Sequence, residues 1–146
     1  MRTAFILAPL ISVLLFCLNA KAETYQALNR LLDSSDKVAV CTTERSNPQL
    51  ITFYVHKVNP MIVAEFSGPQ NHYYAMTLSE DKNQITLSGD QEIISLAFDI
   101  YFKTAEEKFT ATFEKNGIRD PAVNMLPAVF HFEKGQTLKA SCKKLQ

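Results

Sequence analysis

Apolar and polar residues alternate along most of the chain after residue 36, with the period of β-strands. In residues 49–58, for example, Ile51, Phe53 and Val55 occupy every second position. Short segments of the same kind recur to the end of the chain, and each has one apolar face. The pattern therefore predicts a mainly β fold, in which about eight or nine strands form one antiparallel meander that curls into a small barrel or barrel-like sheet.

One segment before the strands has helical spacing instead. Between residues 24 and 36, Tyr25, Leu28, Leu31 and Leu32 recur three and four positions apart, which places them on one face of a short helix. Such a helix is too short to be stable alone. We expect its apolar face to cover one edge or open end of the sheet.

The run IISLAFDIYF, residues 93–102, is the longest alternating segment. It predicts a single strand with Phe98 at the centre of its inner face, and with Asp99 and Tyr101 on its outer face. The inner residues would be Ile94, Leu96, Phe98, Ile100 and Phe102. The polar segment KTAEEK that follows predicts a turn.

Two further connections are indicated by turn residues. Asn116-Gly117 is a strong signal for a tight hairpin, and residues 118–127, which include two prolines, predict a longer loop. Near the C-terminus, a three-residue loop at 134–136 would pair Phe132 with Leu138.

That last hairpin turns Cys142 toward the interior, and Cys41 lies in the first predicted strand. A surviving cysteine pair in an exported protein is typical of a disulfide bond. We therefore predict a Cys41–Cys142 bond that ties the first strand to the last.

Export itself is predicted from the N-terminus. The chain is almost continuously apolar over residues 4–18 and then reads Asn-Ala-Lys-Ala, which is the pattern of a secretory signal peptide over residues 1–22. Lipid attachment at Cys17 is the alternative, but the bulky Phe16 precedes it. Cleavage after Ala22 would leave one domain, residues 23–146, in the periplasm or secreted medium, with no integral membrane segment; cleavage after Ala20 is the alternative.

Charge and chemistry narrow the function further. Without residues 1–22 the chain has 13 basic and 15 acidic residues, so it lacks the basic surface that nucleic-acid binding requires. It contains no nucleophile motif, no glycine-rich phosphate loop and no histidine spacing that suits zinc. We assign no catalytic residue, metal ligand or cofactor, and the sequence does not indicate an oligomeric state.

Five residues are candidates for a binding surface: Tyr54, His56, His72, Tyr73 and Tyr74. Tyrosines beside a turn are typical interface anchors. The same residue types are also common on half-buried strands, so a purely structural role is the alternative interpretation.

The positions of Cys41 and Cys142 around a β-rich segment resemble, in outline, the bacterial inhibitors of C-type lysozyme. Those proteins have a tyrosine where this chain has Ala39, and their Ser-Gly loop ends in a basic residue and a tyrosine. Here Ser67-Gly68 continues Pro-Gln-Asn-His. The chain is therefore not assigned to that family.

The sequence thus favours a non-enzymatic binding or inhibitor module for an envelope or secreted protein or a glycan. A carrier of a small apolar ligand inside the barrel is the alternative, although the many inward phenylalanines indicate a filled interior. An enzyme has the least support.

Overall fold

A computed structural model of the chain describes residues 27–96 and 98–145. Its strands are β1 (Ser35–Thr43), β2 (Leu50–His56), β3 (Ile62–Phe66), β4 (His72–Glu80), β5 (Gln84–Leu96), β6 (Asp99–Glu114), β7 (Met125–Phe132) and β8 (Thr137–Lys144). A helix, α1, covers residues 27–33, and a short helix, α2, covers Lys115–Arg119. Every strand is antiparallel to the next, and β8 pairs with β1. The predicted meander barrel is confirmed and closes completely.

Alternate residues of all eight strands face a common interior, as the period of two requires. One half of that interior is filled by a cluster of aromatic rings with centroids 4.9 to 6.5 Å apart. The cluster contains Phe53, Phe66, Tyr74, Phe109, Phe113, Phe130 and Phe132. This half of the barrel is therefore a packed core.

The barrel closes where β1 meets β8. Cys41 and Cys142 are directly opposite each other in that pairing, are fully buried and form a disulfide bond. The pairing consists of five residue pairs, from Ala39 with Lys144 to Thr43 with Ala140, two of them on each side of the cysteines. The predicted bond is confirmed, and it joins the two strands that close the ring.

The long apolar run does not form one strand. The chain reverses between Leu96 and Asp99, so that the run supplies the end of β5 and the start of β6. Phe98 lies in the turn and is 63% exposed, so its prediction as a central core residue is wrong. Residues that face each other across an antiparallel pair share a face. Residues 99–102 therefore lie on the faces opposite to those predicted for a single strand. The segment KTAEEK, predicted as a turn, lies inside β6.

The connection after β6 is also different from the prediction. Asn116 and Gly117 belong to α2 rather than to a tight hairpin, and the predicted loop at 118–127 ends early because β7 begins at Met125. Lys115 helps to hold this helical turn in place, because its backbone N–H donates to the Asn83 carbonyl at 2.9 Å.

The final hairpin has the predicted loop length at a shifted position. The N–H of Phe132 donates to the Gln136 carbonyl at 2.8 Å, so the three loop residues are 133–135 instead of 134–136. Gly135 takes a φ of 93°, which suits glycine at the end of such a loop. Leu138 consequently pairs with Phe130 instead of Phe132. Because the register moves by two residues, Cys142 still faces inward.

Helix α1 covers the outer face of the barrel and not an open end. Leu31 and Leu32 pack on an outer cluster built by Tyr54, Val63 and Ile93. The helix ends at residue 33, so residues 34–36 of the predicted helix are not helical, and residues 24–26 lie outside the described residues. The predicted signal peptide also lies outside them.

Candidate functional site

The structure does not bring the five candidate residues together on one surface. Tyr54 and Tyr73 both belong to the outer cluster beneath α1, and Tyr54 is only 7% exposed. The Tyr54 hydroxyl donates to Oε1 of Glu65 at 3.4 Å. Burial, reinforced by the Glu65 carboxylate, raises the pKa of Tyr54 to about 12. Burial and the same carboxylate also raise the pKa of Tyr73.

Tyr74 faces the opposite way, into the barrel. Its ring makes edge contacts with Phe66 and Phe109, with centroids 5.2 and 5.1 Å apart. Burial raises the pKa of its hydroxyl, and the negative charges of Glu92, then of Glu107 and Glu106, add to the effect. Tyr74 is a core residue with its hydroxyl toward an acidic rim.

The two histidines lie at opposite ends of the barrel, since His56 ends β2 and His72 begins β4. Nδ1 of His56 accepts hydrogen bonds from the N–H groups of Val58 and Asn59 at 3.2 and 2.9 Å, which shapes the β2–β3 loop. Nδ1 of His72 lies 3.3 Å from Oε1 of Glu92. His72 remains exposed, and its role in binding stays a prediction.

His72 and Tyr73 border a cleft of about 730 Å³ on the outside of the barrel. Its other walls are the start of α1, the loop at 68–71, and residues 92–95 of β5. The cleft therefore lies beside the hairpin that β5 and β6 form beyond the barrel.

That hairpin, residues 93–107, is here called the arm. β4 pairs with β5 only as far as Glu92, and β7 pairs with β6 only from Phe109 onward. Within the described chain, no strand pairs with residues 99–107 on the side away from β5. The arm thus extends beyond the ring and presents an open strand edge along β6.

Large apolar side chains are concentrated on the arm. Leu96, Phe98, Tyr101 and Phe102 are each 50% to 63% exposed. The register places Phe102 opposite Ile93 on the outer face, beside α1, and Tyr101 opposite Ile94 on the face that continues the barrel interior. Both faces and the tip therefore carry exposed aromatic residues.

Charged residues follow these aromatics on the same strand. Lys103 Nζ lies 3.8 Å from Oε1 of Glu106, and Glu107 and Lys108 come next. Charges of this kind on an open edge oppose uncontrolled pairing between identical chains. The arm combines an aromatic tip with an edge that discourages self-association.

The arm was not predicted because residues 93–102 were expected to form one strand with a single inner face. A signal was present: Ile93, Ile94, Tyr101 and Phe102 put apolar residues at both odd and even positions. In a strand with one solvent-exposed face, apolar and polar residues alternate instead. Apolar residues on both faces indicate either a fully buried strand or an exposed binding element.

A second feature lies at the opposite end of the barrel, where the interior is hollow. An apolar cavity of about 300 Å³ opens beside α2 and the end of β8.

A metal site would need several ligating side chains close together within residues 27–96 and 98–145. No group of three or more histidine, cysteine, aspartate or glutamate side chains in this part could hold a metal ion. Glu106 and Glu107, expected in a turn, lie in β6. No helix among the described residues is long and apolar enough to cross a membrane.

Comparison of the chain with protein-family models, with curated proteins and with solved structures gave no match.

Proposed function

We propose that this protein is an exported, non-enzymatic binding module, and that its arm docks an extended polypeptide segment of an envelope or secreted protein. The observation that carries the proposal is the coincidence of exposed aromatic side chains with an open strand edge at residues 99–107. Exposed apolar patches on a small protein commonly mark interaction sites, and aromatic residues dominate the binding energy of such sites.

The open edge favours a polypeptide over a glycan. An extended segment placed beside residues 99–107 would pair its backbone N–H and C=O groups with those of β6. Its side chains, alternating between the two faces, would contact Tyr101 on one face and Phe102 on the other. A glycan could stack on the aromatics but would leave the strand edge unpaired.

Export is part of the proposal and rests on two observations. The Cys41–Cys142 bond is compatible with an oxidising compartment, where disulfides persist. The apolar N-terminal segment has the order of a cleaved signal peptide. The function proposed therefore belongs to the periplasm or the secreted medium.

Site-specific photocrosslinking in the envelope of the native host tests the proposal. A photoreactive phenylalanine analogue replaces Phe102 in one sample and Val58 in another. Val58 is a suitable control position because it is 89% exposed in the β2–β3 loop, at the far end of the barrel. We expect a discrete protein adduct from position 102 and none of the same mass from position 58.

A second substitution shows whether the adduct depends on the arm. In the position-102 protein, Phe98→Ser should reduce the adduct about tenfold or more, as expected for loss of an interface anchor. Val58→Ser should leave it unchanged. An adduct that survives Phe98→Ser, a dimer of the chain itself, or a purely glycan adduct would each contradict the proposal.

A further inference from the structure

The hollow end of the barrel has the properties of a ligand site. The cavity of about 300 Å³ is bounded almost entirely by apolar side chains from the strands, α2 and the C-terminal segment. Its lining comprises Val38, Ala39, Phe53, Val55, Ile62, Leu78, Ile85, Leu87, Phe113, Ile118, Leu126, Lys144 and Leu145. We call this space the mouth cavity.

The mouth cavity is deep on one side and open on the other. Phe53 and Phe113, which belong to the aromatic cluster, line its inner part. Ile118 of α2 and Leu145 stand at its rim, together with the exposed Leu78. A linear molecule can therefore enter beside α2 and reach the aromatic rings.

The chemistry of the lining excludes water as a favourable occupant. Water in a protein cavity needs about two to four polar partners, whereas an apolar cavity of ~150 Å³ stays dry and binds a benzene-sized molecule. The mouth cavity is about twice that size. It has room for an apolar chain of about ten carbons.

One charged residue, Lys144, lines the mouth cavity. Its Nζ donates to the backbone carbonyls of Gly117, Ile118 and Asp120 at 2.9, 3.3 and 2.7 Å. These acceptors are neutral. Among residues 27–96 and 98–145, no carboxylate lies within 4.0 Å of this ammonium group.

Three other cations at this end of the barrel have acidic partners. Lys115 and Arg119 both pair with Oε2 of Glu80, at 3.2 and 3.7 Å, and Lys57 pairs with Asp36 at 3.8 Å. Among the residues that line the apolar cavity, Lys144 is the charged one, and its positive charge has no acidic partner in the described chain. The complementary ligand is a chain with a negatively charged head.

We propose that the mouth cavity binds a single-chain fatty acid, with its carboxylate at Lys144 and its alkyl chain inside the barrel. The carboxylate accepts a charge-assisted hydrogen bond from the ammonium group in exchange for one of the three carbonyls. The chain displaces no hydrogen-bonded water because the lining offers almost no polar partner. This site is independent of the arm, which lies at the other end of the barrel.

Titration calorimetry of the oxidised exported chain with a series of straight-chain carboxylates tests the site, each below its micelle concentration. Affinity should rise about fourfold per added methylene until the cavity is full, because each buried methylene contributes a constant increment. Decanoate should bind at least tenfold more tightly than 1-decanol. Affinity that does not depend on chain length would overturn the proposal, as would the absence of saturable binding.

Two neighbouring lysines provide a matched pair of variants. Lys144→Met should weaken decanoate binding about tenfold and leave 1-decanol binding unchanged, while Lys143→Met, on the exposed outer face of β8, should change neither. Equal effects of the two variants would contradict the assignment of the head group. Ala39→Phe fills the cavity from its wall and should abolish binding of both ligands, with folding checked by urea unfolding. Retained decanoate affinity in a folded Ala39→Phe variant would show that the chain lies elsewhere.

Discussion

Removal of the disulfide bond should lower the free energy of unfolding by a predictable amount while the barrel remains folded. The double variant Cys41→Ala, Cys142→Ala opens a covalent loop with a sequence separation of 101. In the chain-entropy model, a loop of that length stabilises the folded state by roughly 4.7 kcal/mol. Both cysteines are fully buried, so a small additional loss arises from the two missing sulfur atoms.

The ring has a second means of closure, and this sets the expected outcome. Five residue pairs between β1 and β8 remain when the sulfur atoms are removed. In a domain near the middle of the ordinary range of ~5 to 15 kcal/mol, a loss of about 4 to 5 kcal/mol leaves the fold intact but less stable. We expect native-like β circular dichroism in buffer for the double variant.

Urea unfolding, followed by circular dichroism, measures the loss. With a slope of about 2 kcal/mol per molar urea, the midpoint should fall by about 2 M. Wild-type protein with reductant is the control and should shift by a similar amount. A change in the free energy of unfolding below about 1 kcal/mol would show that the bond does not restrict the conformations of the unfolded chain. Loss of β structure in buffer would show that the hydrogen bonds between β1 and β8 alone do not close the ring.

Three smaller changes test the interior and the outer cluster. Phe109→Ala should lower the free energy of unfolding by about 3 to 5 kcal/mol, whereas Phe98→Ala should lower it by about 0.5 kcal/mol or less. Equal losses of stability in urea unfolding would contradict the placement of Phe98 at the exposed tip of the arm. Gly89→Ala should cost about 1 to 3 kcal/mol because its new methyl group would collide with the Phe109 ring, while Gly68→Ala, with 3.6 Å to its nearest neighbour, should cost far less by the same assay. Tyr54 should ionise near pH 12. Because its pKa is raised from 10.0, its contribution to the free energy of unfolding is complete below pH 10 and is lost as the pH rises toward 12. Tyr54→Phe should remove this late step from the tyrosinate absorbance, and an unchanged absorbance curve would refute the assignment of the step to Tyr54.

The fold class followed from the sequence because burial on one face imposes a period of two on every strand. Ile51 and Phe53 illustrate this, since the first is fully buried and the second nearly so. Cys142 was placed inward for the same reason. A register error of two residues left its direction intact, because the side-chain direction repeats every second residue.

Turns between apolar residues were not predictable in this way. The reversal after Leu96 contains no asparagine, proline or glycine, so the chemistry that normally marks a hairpin is absent. Asn116-Gly117 has that chemistry and nevertheless lies in α2. There the local preference for a tight turn is overridden by the surroundings, which include the ammonium group of Lys144 bound to the Gly117 carbonyl.

The two candidate sites depend on quantities that periodicity does not contain. The alternation of apolar residues shows which side chains face inward but not whether their volumes fill the barrel. Phe109 fills one half, while Ala39 and Val38 leave space in the other. Likewise, the extension of the arm depends on how far β4 and β7 run beside it, which is a property of the pairing and not of residues 93–107 themselves.

Amide hydrogen exchange tests the central claim, that the open edge of the arm binds an extended polypeptide. Exchange is measured residue by residue on the free protein and on its complex with the polypeptide captured at position 102. We expect alternate amides within residues 99–107 to exchange at least tenfold more slowly in the complex, with no change at residues 109–113, which already pair with β7. Protection confined to another part of the barrel, or an arm that exchanges equally fast in both states, would contradict the account.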